Sequence, residues 1–176
     1  MFIPLAETPV ELRPGGEERN CFYFYERDPN LPIEVKITRL PPGFDMDLNW
    51  HRHQFVEEFS VPLTGQILIK EQKNSKVIQK SVFEAILKKS EWVVGIECKS
   101  TKSVTLLIEK TSGRRRKVEV KFTPEYTEGK NWHTVGNPTN NLVVMLTLKR
   151  VPRKIFKRDS MVFQVDREAF SKEVIG

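Results

Sequence analysis

The sequence predicts a single all-β domain, and three observations support this interpretation. Apolar and polar residues alternate with a period of two along most of the chain, which is typical of half-buried strands. Turn residues interrupt the alternation about every ten residues, as in R-D-P-N, L-P-P-G-F-D and E-Q-K-N-S-K. A length of 176 residues suits one domain. Many short strands in one domain of this size indicate a sandwich or a barrel.

The predicted strands are separated by these turns and are rich in Val, Ile, Leu, Phe and Thr. They cover residues 20–26, 33–40, 47–53, 58–69, 83–88, 92–98, 103–110, 118–123 and 142–148. The segment 83–88 also fits a helical turn. A helical pattern of any length is confined to residues 166–173, where Asp166 is a suitable N-cap.

Composition and charge narrow the function classes. With 39% hydrophobic and 30% charged residues the chain resembles an ordinary globular protein, and no apolar run approaches the roughly 20 residues of a membrane span. The N-terminal residues contain no secretory signal, so we expect a cytoplasmic protein. The net charge of +6 includes basic runs at 114–117 and 149–158. Without a recognition motif these runs are interpreted as solvated charge, and nucleic acid is not an expected partner.

The chain has three histidines, and their positions indicate a metal site. His51 and His53 form an H-x-H pair, whose side chains would project to one face of a strand. His133 lies far downstream in H-T-V-G-N. Glu58 follows the pair closely enough for the chain to turn back, and Gly65 would permit a bend after it. Three imidazoles and a carboxylate suit a first-row divalent metal.

Two adjacent glutamates could supply the carboxylate ligand. Glu57 precedes Glu58 directly and is the rival ligand. The spacing from Glu58 to Gly65 favours Glu58. Pro62 lies between them and cannot donate to a sheet ladder, so the strand should bulge or form a sheet edge there.

These residues resemble the first motif of the cupin superfamily, G(X)5HXH(X)3-4E(X)6G. His51, His53, Glu58 and Gly65 match its last four elements, whereas Gly43 precedes the pair by seven intervening residues rather than five. The second motif, G(X)5PXG(X)2H(X)3N, appears here in two parts. L-K-K-S-E-W-V-V-G-I-E-C is similar to its beginning, and His133 with Asn137 matches its H(X)3N end. The Pro-x-Gly in the middle is missing.

Two alternating runs around a Ser-Gly turn separate the two parts of the second motif and predict an inserted β-hairpin at about residues 101–123. The resemblance implies a cupin-like double-stranded β-helix, or jelly-roll barrel, with this insertion. The predicted organisation is one domain over residues 1–176. It has N-terminal strands at 1–40, the barrel at 43–148 and a short C-terminal tail or helix at 152–176.

The resemblance also implies a function. His51, His53, Glu58 and His133 would hold one divalent ion of Fe, Mn, Ni, Zn or Cu, and Asn137 would shape the turn after the third histidine. Glu58 would leave the metal to act as a catalytic base. We expect a metal-dependent enzyme of the dioxygenase type acting on a small oxygen-bearing molecule. An isomerase, a lyase and a non-catalytic binding or sensing module remain alternatives. Homodimers are common in the superfamily, so a homodimer is expected.

Overall fold

The structure is a computed structural model. It describes residues 1–44, 50–53, 56–123, 132–151 and 167–169. For His53 and residues 167–169 it describes the backbone but not the side chains. The α-helical turn α1 (Phe24–Arg27) and two 3-10 turns (Leu5–Glu7 and Pro14–Gly16) accompany the strands. The strands are β1 (Ile3–Pro4), β2 (Val10–Leu12), β3 (Glu18–Tyr23), β4 (Ile33–Leu40), β5 (His51–His53), β6 (Glu57–Pro62), β7 (Ile67–Lys73), β8 (Lys76–Val82), β9 (Glu91–Glu97), β10 (Ser103–Lys110), β11 (Arg115–Lys121), β12 (His133–Gly136), β13 (Val143–Arg150) and β14 (Arg167–Ala169).

These strands form three antiparallel sheets. The central sheet has the order β2-β3-β4-β13-β6. The second, here called the histidine sheet, has the order β14-β5-β12-β7-β8, and the outer sheet has the order β1-β9-β10-β11. The all-β prediction is confirmed. Within the described residues no helix is long and apolar enough to cross a membrane.

The two faces of the central sheet have different surroundings because alternate residues point to opposite sides. Val35 and Ile37 on β4, with Leu146 and Leu148 on β13, belong to a core that also contains Ile96 and Leu106 of the outer sheet. Each of these side chains is almost completely buried. Burial of one such side chain contributes roughly 1.5–3 kcal/mol, so this core joins the central and outer sheets firmly.

The opposite face of the central sheet packs on the histidine sheet. At one end the contact is apolar, where Leu40, Val143 and Met145 meet Ile67 and Ile69. Towards the other end, the same face carries polar and charged residues from β4, β6 and β13. The candidate site occupies this polar end, and the apolar end fixes the spacing between the two sheets.

The β-hairpin predicted at about residues 101–123 is confirmed. β10 and β11 pair over their whole length around a turn that contains Gly113, which has φ +85°. Arg116 on β11 bonds to both carboxylate oxygens of Glu91 on β9, at 3.0 and 2.8 Å, and to the carbonyl oxygen of Ile86 at 3.3 Å. The insertion therefore extends the outer sheet and is attached to it by a bidentate ion pair.

Three strand predictions were wrong in whole or in part. Residues 24–26 of the strand predicted at 20–26 belong to the helical turn α1. The segment 58–69 is two strands, β6 and β7, separated by a turn in which Gly65 has φ +68°. The bend at Gly65 was expected, and Pro62 lies at the end of an edge strand, as its missing N–H requires. The segment 83–88 is not a strand. β8 ends before it, and because most of β8 is exposed on both faces, its sequence lacks the apolar alternation that would have revealed it.

The helix predicted at 166–173 is wrong where the structure describes it. Residues 167–169 form β14, which pairs antiparallel with β5. Helix propensity is a weak preference in so short a segment, and the hydrogen-bonding edge of β5 outweighs it. The remaining residues of the predicted tail, 152–166 and 170–176, lie outside the described residues.

Candidate metal centre

The histidine sheet brings two distant histidines together. His51 on β5 and His133 on β12 are direct cross-strand partners. Their rings lie 4.4 Å apart between centroids, at an angle of 59°. Cross-strand partners point to the same face of a sheet, so both imidazoles face the central sheet. His133 is completely buried and His51 is 7% exposed.

The central sheet supplies a carboxylate opposite these rings. Glu58 on β6 is 4% exposed, and its Oε1 lies 3.6 Å from His133 Nε2. Its Oε2 lies 3.9 Å from His51 Nε2. The donor atoms of the three residues lie within 4.8 Å of one another. His51, Glu58 and His133 form a buried cluster that could hold a metal ion.

The donor set and its spacing fit a divalent transition metal. Bonds of about 2.1 Å to nitrogen and oxygen place neighbouring donors roughly 3.0–3.4 Å apart around a tetrahedral or octahedral ion. The measured separations of 3.6 and 3.9 Å are slightly wider, so small side-chain movements would close the set. Two neutral imidazoles and one carboxylate match the preference of these ions for nitrogen and oxygen ligands.

The two adjacent glutamates have separate environments. Glu57 points away from the histidines and accepts a hydrogen bond of 2.8 Å from Arg150 Nε. The Arg150 guanidinium also donates to the carbonyl oxygen of Thr101 and lies 4.1 Å from the ring centroid of Phe122. Strand alternation therefore assigns Glu57 to a structural ion pair and leaves Glu58 with the imidazoles.

His53 is only partly described. Its backbone belongs to β5 and pairs with Arg167 of β14, whereas its side chain lies outside the described residues. Its role as a ligand stays a prediction from the H-x-H spacing.

Asn137 organises the loop that follows His133. Its side-chain nitrogen lies within hydrogen-bond distance of the carbonyl oxygens of Leu40 (3.0 Å), Pro41 (3.1 Å) and Asn141 (2.6 Å). Its Oδ1 accepts a hydrogen bond from the backbone N–H of Thr139 at 2.9 Å. The side chain is 2% exposed. Asn137 joins the end of β4 to the loop between β12 and β13, as expected of a turn-forming residue.

A cavity of about 50 Å³ opens beside His51 and Glu58. At roughly 10–15 Å³ per water this is room for about four water molecules. Most of the side chains that line it are charged or carry a hydroxyl group: Glu17, Arg19, Lys36, Lys149, Thr38, Ser60 and Thr147. The apolar part of the lining is Val135 and Met145. Sequence reasoning missed these residues. They could have been found in the sequence as the polar residues that alternate with apolar residues in strands with one apolar face.

Charges around the cavity are paired across the central sheet. Lys149 is the cross-strand partner of Glu34 on one side and of Glu58 on the other, and its Nζ lies 3.9 Å from Glu58 Oε2. Lys36 lies 2.9 Å from Glu34. Burial raises the pKa of Glu34, but the charges of Lys149 and Lys36 outweigh it, so this pKa is lowered from its ordinary value. Glu34 is therefore a buried carboxylate anion at neutral pH.

Solved structures with the same fold include oxalate decarboxylases of Bacillus subtilis. A tryptophan-to-phenylalanine variant aligns with 99% of this chain and 33% of its own, with a TM-score of 0.56 and 10% identity. A deletion variant aligns with 87% of this chain and 30% of its own, with a TM-score of 0.52 and 12% identity. This chain thus spans about a third of those proteins. No protein-family model and no curated protein matches the sequence. The likeness shows a cupin β-sandwich fold.

Proposed function

We propose that this protein is a cupin that binds one divalent transition metal ion through His51, His53, Glu58 and His133. The observation that carries the proposal is the buried cluster of His51, Glu58 and His133 between two sheets of a cupin fold. The ion would be Fe, Mn, Ni, Zn or Cu, all of which accept imidazole and carboxylate ligands.

We further propose that the site is catalytic and acts on a small oxygen-bearing molecule, in a reaction of the dioxygenase type. Polar side chains around the cluster favour a reaction site over a closed apolar ligand pocket. A bound divalent ion supplies Lewis acidity towards an oxygen atom of the substrate. The small volume of the cavity favours a substrate with few non-hydrogen atoms.

The side chains around the cluster would have separate roles in the reaction. Glu58 accepts a proton at Oε2, and Lys149 beside that atom stabilises the carboxylate. Ser60 and Thr147 share a buried hydrogen bond of 3.1 Å, in which one hydroxyl donates to the other. The hydroxyl that accepts this bond can donate its own hydrogen to a substrate oxygen.

Metal content of purified variants tests the metal site. His51→Ala, His133→Ala and Glu58→Gln are expected to lose stoichiometric metal, because each removes a ligand. Glu57→Gln is the matched control, since this neighbouring carboxylate faces away and is paired with Arg150. Full metal occupancy in both histidine variants would refute the site.

Oxygen uptake and product analysis test the reaction. The metal-loaded protein is incubated with a panel of enediols, keto acids and hydroxy acids. Oxygen consumption that depends on Glu58 supports a dioxygenase. Substrate conversion without oxygen uptake indicates the isomerase or lyase alternative, and the name of the structural neighbours makes carboxylic acids a necessary part of that panel. If no compound were converted, the remaining interpretation would be a non-catalytic binding module.

A further inference from the structure

The charges of the cavity identify the class of ligand that it accepts. Three cationic side chains, Arg19, Lys36 and Lys149, line it together with two carboxylates, Glu17 and Glu58. All five are at least about nine-tenths buried except Lys36, whose side chain is 16% exposed. Basic side chains are rarely so buried without anionic partners, so the charge balance of the site is informative.

Among the described side chains, each cation has a carboxylate close by while Glu58 is not engaged by a metal. Arg19 lies 3.0 Å from Glu17, Lys36 lies 2.9 Å from Glu34, and Lys149 lies 3.9 Å from Glu58. Buried Glu71, the cross-strand partner of His133, is a fourth carboxylate on this face of the histidine sheet.

A bound metal ion changes the charge balance of the site. A bound ion would draw on Glu58, the carboxylate beside Lys149, while Glu34 contacts Lys36 and is the cross-strand partner of Lys149. The divalent ion adds two positive charges to the same buried space. An excess of positive charge among buried side chains is costly unless an anion balances it.

Arg19 offers a further donor. Its Nε atom is buried and, within the part of the chain that the structure describes, has no hydrogen-bond partner. A guanidinium carries five N–H donors, and a carboxylate matches the geometry of two of them. The side chain is 8% exposed, so bulk water satisfies this donor poorly.

We infer that the cavity binds a small organic carboxylate, held by Lys36, Lys149 and Arg19 with an oxygen atom directed at the His51, Glu58 and His133 cluster. This inference rests on the proposed function, because the bound ion creates the excess charge. It specifies the substrate class of that site. A ligand that fills the space of about four water molecules is of the size of glycolate.

Calorimetry and visible spectroscopy of the cobalt(II)-loaded protein test the inference. Glycolate and glycolamide are titrated separately, because they have the same size and differ in charge. Glycolate is expected to bind at least about tenfold more tightly and to change the cobalt absorption spectrum. Its affinity should fall by a similar factor when the metal is removed. Equal binding of the two compounds would overturn the inference.

Variants separate charge from structure. Lys36→Met should bind cobalt stoichiometrically and lose about tenfold in glycolate affinity, with glycolamide unaffected. Lys76→Met, an exposed lysine on β8, is the matched control and should bind glycolate like the unchanged protein. Arg19→Gln provides a second test should Lys36→Met fail to fold. Unchanged glycolate affinity in a folded variant would refute the assigned contact.

The two proposals fail in different ways. Stoichiometric cobalt binding without a preference for glycolate overturns the carboxylate inference and leaves the metal site intact. Failure to bind cobalt overturns the metal site and, with it, the charge argument.

Discussion

His51 and His133 are direct cross-strand partners, although most of the barrel lies between them in the sequence. β12 places His133 between β5 and β7, and its ring centroid lies 4.4 Å from that of His51. Because the two backbones are hydrogen-bonded neighbours in one sheet, the imidazoles are held together before any ion binds. Such preorganisation reduces the cost of assembling a metal site.

Metal binding should stabilise the folded protein, and this stabilisation should require the pair of His51 and His133. At a free metal concentration 100 times the dissociation constant, the free energy of unfolding should rise by about 2.7 kcal/mol. Thermal unfolding with and without a chelator measures the effect. His133→Ala should abolish the difference, whereas Glu57→Gln should retain it. A metal-dependent shift of equal size in His133→Ala would contradict the assignment.

Asn137→Ala should destabilise the protein by about 2–4 kcal/mol, because it leaves buried carbonyl oxygens of Leu40 and Pro41 without their donor. Urea denaturation measures the loss. Metal affinity should fall as well, since the loop that ends β12 positions His133. Asn140→Ala, an exposed change in the same loop, is the control and should be within about 0.5 kcal/mol of the unchanged protein. Equal stability of both variants would show that Asn137 does not organise the turn.

Gly65→Ala should cost more stability than Gly113→Ala. Both glycines have positive φ, +68° and +85°, so each substitution carries a conformational cost of about 1–2 kcal/mol. A Cβ at Gly65 would also lie 3.0 Å from Val143 Cγ2, whereas one at Gly113 meets nothing within 4 Å. Denaturant unfolding of the two variants isolates this contact. If the two losses were equal, the contact with Val143 would contribute nothing.

Acid should weaken the attachment of the inserted hairpin. Hydrogen bonds from Arg116 and from the backbone N–H of Lys88 lower the pKa of Glu91 from 4.5 to about 2. A carboxyl group whose pKa is lower in the folded state than in the unfolded state stabilises the fold at pH values above its unfolded-state pKa. For Glu91 this contribution disappears as the pH falls from about 4.5 to about 2.

Glu91→Gln should therefore be less stable than the unchanged protein at pH 6 and should lose less stability on acidification. Chemical denaturation between pH 6 and pH 2 measures both slopes. Glu119→Gln removes an exposed carboxylate from the same hairpin and is the control. Identical slopes for Glu91→Gln and the unchanged protein would show that the ion pair with Arg116 does not contribute.

The local features of this protein were predictable where they depend on short-range rules. Residues 33–40 and 103–110 alternate over much of their length and form strands with the predicted bounds. Gly65 has the positive φ that the bend required, and Asn137 bonds to the turn that it was expected to shape. Strands without such alternation were missed, because β8 is exposed on both faces and β14 is held by the edge of β5.

The sequence by itself determined the all-β class, the hairpin insertion and the small set of histidines and glutamates from which a metal site can be built. Only the tertiary structure decided that Glu58 faces His51 and His133 while Glu57 pairs with Arg150, since a shift of one residue along a strand reverses the face. It also placed Arg19, Lys36 and Lys149 around one cavity. Their strands are distant in sequence, and which of them become neighbours depends on sheet order and register, which no local pattern specifies.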